Sequence, residues 1–104
     1  MENKIPNLIQ VEDVIFKNIN FGTWVMRVSI IGTGFEQRAL PIVVKIGDKW
    51  LNSILPMPEN SGVIGFLSEI PKIGDKVRVG YLDSPLMETT FTYQLKGNKL
   101  PFKD

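Results

Sequence analysis

The sequence predicts an all-β domain, an antiparallel β-sandwich of about seven strands with immunoglobulin-like character. Three observations carry that expectation. Apolar and polar residues alternate with period two through most of the chain, the signature of strands with one buried face. Turn-forming residues separate these runs at the spacing of an all-β domain: Asn20-Phe21-Gly22, Gly32-Thr33-Gly34, Gly47-Asp48, Pro56 to Gly62, Gly74-Asp75 and Asp83-Ser84-Pro85. No long stretch carries a helical apolar period. A small barrel of OB or SH3 type is the alternative architecture, favoured by a bulged, curved first strand.

The elements follow in chain order. In the first run Ile9 and Val11 share one phase, Val14 and Phe16 the other. This phase switch inside one extended run predicts a bulge or kink near Glu12-Asp13. Trp24, Met26, Val28 and Ile30 alternate with Thr23, Val25, Arg27 and Ser29. Leu40, Ile42, Val44 and Ile46 repeat the pattern, with Pro41 marking a strand start or an edge. Gly47-Asp48 is then a two-residue hairpin turn. The best helical candidate is a turn or two around Trp50 to Leu55, ended by Pro56. Val63 to Leu67 is a short apolar run broken by Gly65, read as a buried strand with a close backbone neighbour. Val77, Val79 and Tyr81 form another alternating run, and so do Thr89, Phe91, Tyr93 and Leu95. The expected core is Trp24, Val28, Leu40, Val44, Val79, Phe91 and Tyr93.

The pentapeptide Lys-Ile-Gly-Asp-Lys occurs at 45–49 and again at 72–76. Its flanks differ, so it reads as the same turn chemistry used twice before a strand, not as a duplicated half-domain.

Composition narrows the chemistry. The chain has 104 residues, 43% hydrophobic and 22% charged, enough for one domain over 1–104 with a core of its own. The polar tail at 97–104 is expected to fray. There is no histidine and no cysteine. Their absence removes the commonest general base, the strongest protein nucleophile and the usual zinc, copper and iron–sulfur ligands. Carboxylates could still hold a hard cation. However, Asp48, Asp75 and Asp83 occupy turns without the spacing of a calcium loop. Glu12 and Asp13 are adjacent in a strand and point to opposite faces. Gly32-Thr33-Gly34 lacks the Gly-Lys-Ser/Thr and the helix of a phosphate loop. Ser53, Ser61, Ser68 and Ser84 lie in turn contexts without a nucleophile elbow. The expectation is therefore a non-enzymatic domain with no cofactor and no metal.

Twelve basic against 11 acidic residues give a net charge of +1, which supplies no strong field toward nucleic acid or anionic lipid. The N-terminal residues lack a signal-peptide pattern and no run is long enough for a membrane span, so a cytoplasmic location is expected.

What remains is binding. Phe21, Phe35, Trp50 and Phe102 lie in or beside turns, off the core phases. Loop aromatics ringed by charge suit a protein interface. The expected partner-binding set is Phe35, Glu36, Trp50, Glu59, Asn60 and Glu69. The expected function is a bacterial inhibitor or immunity-type protein that occludes the active site of a partner toxin. The alternative is a single-stranded nucleic-acid-binding barrel, with Lys45, Lys49 and Trp50 as a stacking platform.

Overall fold

The computed structural model describes residues 9–35, 41–82 and 85–94. They form eight strands: β1 (Gln10–Phe21), β2 (Trp24–Thr33), β3 (Ile42–Ile46), β4 (Lys49–Trp50), β5 (Asn52–Pro56), β6 (Gly62–Leu67), β7 (Lys76–Tyr81) and β8 (Met87–Thr92). Two antiparallel four-stranded sheets pack face to face. The first has the order β1-β2-β6-β5 and the second β4-β3-β7-β8. Among the described residues each sheet keeps two edge strands, so they form an open sandwich and not a closed barrel.

The inner faces make one core. Met26, Val28 and Ile30 of β2 and Val63 and Leu67 of β6 face Val44 and Ile46 of β3 and Val77, Val79 and Tyr81 of β7. All are buried, and Val28, Ile30, Val44, Ile46, Val77 and Val79 are at 0% exposure. Phe16 of β1 meets Tyr93, just past β8, edge to face at 5.0 Å, closing the side where β1 and β8 lie.

The bulge in β1 is present. The register against β2 shifts between Val11 and Asp13. Ile9 and Val14, of opposite phase, are therefore both buried, at 1% and 5% exposure. Gly65 is also where a close approach demands it. A Cβ there would overlap the Leu51 side chain and lie 3.1 Å from the Asn52 carbonyl oxygen. In β8 the ladder shifts opposite Lys76 and Arg78. The Thr89 hydroxyl repairs it, donating to the Val77 carbonyl at 2.9 Å and accepting from the Phe91 N–H at 3.1 Å.

Four expectations change. Trp50 to Leu55 is not helical: β4 and β5 run through it, broken at Leu51 and irregular between Asn52 and Leu55, where Ser53 takes φ 55°. The chain leaves the second sheet at Trp50 and joins the first at Asn52, and pairing with two sheets overrides local propensity. Gly32-Thr33 is not a turn but the end of β2, where the Gly32 N–H donates to the Ser61 carbonyl at 2.9 Å. Trp24 is half-buried and outside the core; its ring lies 6.1 Å from Phe66, which faces outward between the inward Gly65 and Leu67. Phe91 packs against the core but is only half-buried. Leu40, Leu95, Asp83, Ser84 and the tail at 97–104 lie outside the described residues.

Both motif glycines take positive φ, 62° at Gly47 and 93° at Gly74, and each motif's last lysine opens a strand. The two copies touch. The Gly47 N–H donates to the Lys76 carbonyl at 2.9 Å, and a Cβ on Gly47 would sit 2.5 Å from the Asp75 carboxylate.

Two substitutions check this packing by urea denaturation. Ile46→Ala should cost about 2–5 kcal/mol, whereas Leu55→Ala, at an exposed position, should stay within about 0.5 kcal/mol. Gly47→Val should cost at least about 1–2 kcal/mol, because a β-branched residue resists left-handed φ and displaces Asp75. An unchanged midpoint for Gly47→Val would contradict the turn geometry.

Candidate protein-docking end

Strand direction decides which loops share an end. The β1–β2 turn at 22–23, the β3–β4 turn at 47–48 and the crossover at 68–75 all lie where β6 ends and β7 begins. This is the hairpin end. Gly34, Leu82 and the β5–β6 turn lie at the opposite end, where the Gly32 N–H meets the Ser61 carbonyl.

The six predicted binding residues do not form one site. Trp50 and Glu69 are exposed at the hairpin end. Glu59 and Asn60 are exposed in the β5–β6 turn, at the opposite end. Phe35 is not a surface anchor: it is 3% exposed and part of the core. It lies there because the chain, leaving β2, is held inward where the Tyr81 hydroxyl donates to the Gly34 carbonyl at 3.0 Å. Glu36 lies outside the described residues.

The hairpin end gathers apolar surface. Among the described residues seven large hydrophobic side chains are exposed, and four of them lie here: Phe21 at 73%, Trp50 at 52%, Ile70 at 46% and Ile73 at 60%. Phe21 ends β1 at a turn, Ile70 and Ile73 lie in the crossover, and Trp50 faces outward from β4. Sequence reading missed Ile70 and Ile73. The available signal was that they flank Pro71-Lys72 in a stretch without alternation.

Charges frame this surface. Lys49, with its side chain only 18% exposed, reaches Asp48 at 3.2 Å and Glu69 at 3.8 Å. The hydrogen bond and charge of Lys49 hold the Asp48 carboxyl below its ordinary range, and Lys72 adds a smaller pull. The Asp75 carboxylate accepts the Lys72 N–H at 2.9 Å and so shapes the crossover that presents Ile73.

Trp50 also begins a row across the outer face of the second sheet. Trp50, Lys45, Arg78 and Glu88 stand directly opposite one another on β4, β3, β7 and β8. The Lys45 ammonium lies 5.0 Å from the Trp50 ring centroid. Glu88 pairs with both Lys76 and Arg78 at 3.2 Å. The Lys76 hydrogen bond, then its charge and that of Arg78, hold the Glu88 carboxyl below its usual range.

At the opposite end the β5–β6 turn is left-handed without glycine at its centre. Glu59 has φ 59° and ψ 28°, and Asn60 has φ 57°. The Ser61 hydroxyl donates to the Pro58 carbonyl at 2.8 Å, and the Ser61 N–H donates to it at 3.2 Å. Asparagine tolerates that conformation; glutamate does so only at a cost.

Among the described residues no group of three or more His, Cys, Asp or Glu could hold a metal ion, and no helix is long and apolar enough to cross a membrane. No protein-family model, curated protein or solved structure matches the chain.

The Glu88 pair gives a titration test. Lys76→Met should raise the Glu88 pKa, read by NMR of its side-chain carboxyl. A carboxylate whose folded pKa is depressed adds stability above its unfolded pKa and loses it as pH falls through the folded value. Acidification should therefore cost the wild type slightly more than Lys76→Met, and added salt should shrink the difference. An unmoved Glu88 titration would show that the pair does not persist in solution.

Proposed function

We propose that this chain is a non-catalytic, protein-binding domain of immunoglobulin-like type that engages its partner through the hairpin end. The observation that carries the reading is the concentration there of Phe21, Trp50, Ile70 and Ile73, framed by Asp48, Lys49, Glu69 and Lys72. An aromatic and aliphatic centre with a charged rim is the composition of an interface hot spot. These side chains share one end of the sandwich, with Phe21 on the β1 edge and Trp50 on the β4 edge, so the end presents apolar side chains across its width. The strand order supports the immunoglobulin-like part of the reading: β1-β2-β6-β5 facing β4-β3-β7-β8 runs as A-B-E-D facing C′-C-F-G.

The narrower form of this proposal is a bacterial, cytoplasmic inhibitor of the immunity type, whose acidic groups stand in for the substrate of a toxin. Glu69 on the hairpin end would then steer association with a basic groove. Glu59 and Asn60 would form a separate contact at the opposite end, where a strained turn retains an exposed carboxylate.

A second reading has one observation in its favour. Trp50 shares its sheet face with Lys45, Arg78 and Lys76, a composition that could stack and neutralise a single strand of nucleic acid. Against it, Glu88 already engages Arg78 and Lys76, and Lys45 lies over the Trp50 ring.

Photo-crosslinking in the source cell separates these readings. A photoreactive residue at Ile73 should trap a protein, and one at Leu82, equally exposed at 60% but at the opposite end, should not. With the trapped partner purified, Trp50→Ala should speed dissociation and weaken binding roughly tenfold or more. Glu69→Lys should slow association, more at low salt than at high. Tight binding to single-stranded oligonucleotides that falls steeply with salt would replace this proposal with the second reading.

A further inference from the structure

We infer that the outer face of the first sheet is the interface of a symmetric dimer, its occupant a second copy of this chain. This surface is separate from the hairpin end. Its middle row is Ile15, Ser29, Ile64 and Leu55, directly opposite one another across β1, β2, β6 and β5. Ile15 and Leu55 are 45% and 58% exposed, and Ile64 is half-buried without joining the core. The row is an apolar stripe interrupted by Ser29, which is 8% exposed between Ile15 and Ile64.

Charges flank this stripe unevenly. On its hairpin side the next row is Lys17, Arg27, Phe66 and Asn52. Two cations stand directly opposite each other there, an arrangement that destabilises a sheet unless something neutralises it. Neither forms an ion pair among the described residues. The Arg27 Nε is buried and has no hydrogen-bond partner. On the other side of the stripe, Asp13 stands opposite Ile31, next to Glu12, and both carboxylates are exposed.

This face carries its own complement. A two-fold axis lying along the stripe, between two copies, reverses strand direction but keeps each strand over its counterpart. It sets Asp13 of each copy over Lys17 of the other, beside Arg27. Ile15, Ile64 and Leu55 each meet themselves, as an isologous contact requires. That complementarity selects a second copy over an unrelated partner. Four strands about 4.8 Å apart and about 20 Å of strand length cover roughly 400 Å² per copy, so about 800–1,000 Å² in all. An interface of that size gives a weak, concentration-dependent dimer.

Sedimentation equilibrium on the full chain, from micromolar to near-millimolar concentration, tests it. The wild type should show a monomer–dimer equilibrium. Leu55→Asp, Lys17→Asp and Asp13→Lys should each weaken it roughly tenfold or more, and the double exchange of Asp13→Lys with Lys17→Asp should restore it toward the wild type. All three side chains are exposed, so circular dichroism melts should confirm folded variants. Trp50→Ala should leave the equilibrium in place. A monomer over the whole range overturns the inference. So does a dimer insensitive to Leu55→Asp, a double exchange no better than the single ones, or a dimer broken by Ile73→Asp instead.

Discussion

The structure depends on keeping four central strands in a single phase. Met26, Val28 and Ile30 can bury only if β2 presents its even residues to the second sheet, and β3 and β7 must answer with Val44, Ile46, Val77 and Val79. A slip of one residue would send any of these rows to solvent and bring Arg27, Lys45 or Arg78 inside. The penalty for burying those unpaired charges is far larger than any loop preference. Two irregularities of the fold serve this constraint. The bulge after Val11 exists because β1 must deliver both Ile9 and Val14 inward. Gly65 exists because Leu51, where the chain changes sheets, occupies the space of its side chain.

The ends of the sandwich follow from the same constraint. Strands that must stay in phase leave adjustment to the reversals between them. The two copies of Lys-Ile-Gly-Asp-Lys meet at the hairpin end, with Gly47 seated against Asp75. Asp75 in turn holds the Lys72 N–H, fixing the crossover at 68–75. Exposed apolar side chains collect at that end. The opposite end is held differently, by the Tyr81 hydroxyl on the Gly34 carbonyl and by Ser61 against Gly32.

The two outer faces contrast. On the second sheet, Glu88 balances Lys76 and Arg78, and Lys45 lies over Trp50, so the cations of that face have partners within it. On the first sheet, Lys17 and Arg27 have no acid in their row, and an apolar stripe lies beside them. Polar balance on one face and its lack on the other distinguish a solvated surface from one built to be covered.

Sequence pattern by itself determined the phases of the central strands. The alternation of Met26, Val28 and Ile30, of Val44 and Ile46, and of Val77, Val79 and Tyr81 is local, and period two has one physical meaning. The bulge near Glu12-Asp13, the turn at Gly47-Asp48 and the close approach at Gly65 were legible for the same reason: each needs a particular residue at a particular place. Tertiary structure decided the rest. Trp50 to Leu55 joins strands of two sheets, irregular between Asn52 and Leu55, because both sheets claim its hydrogen bonds, which no local propensity records. Trp24 packs on Phe66 and Phe35 enters the core, because side-chain neighbours come from distant strands. The candidate site was only half legible. Trp50 and Glu69 share an end, but Glu59 and Asn60 lie at the other, since strand order and direction, not sequence spacing, set which loops become neighbours.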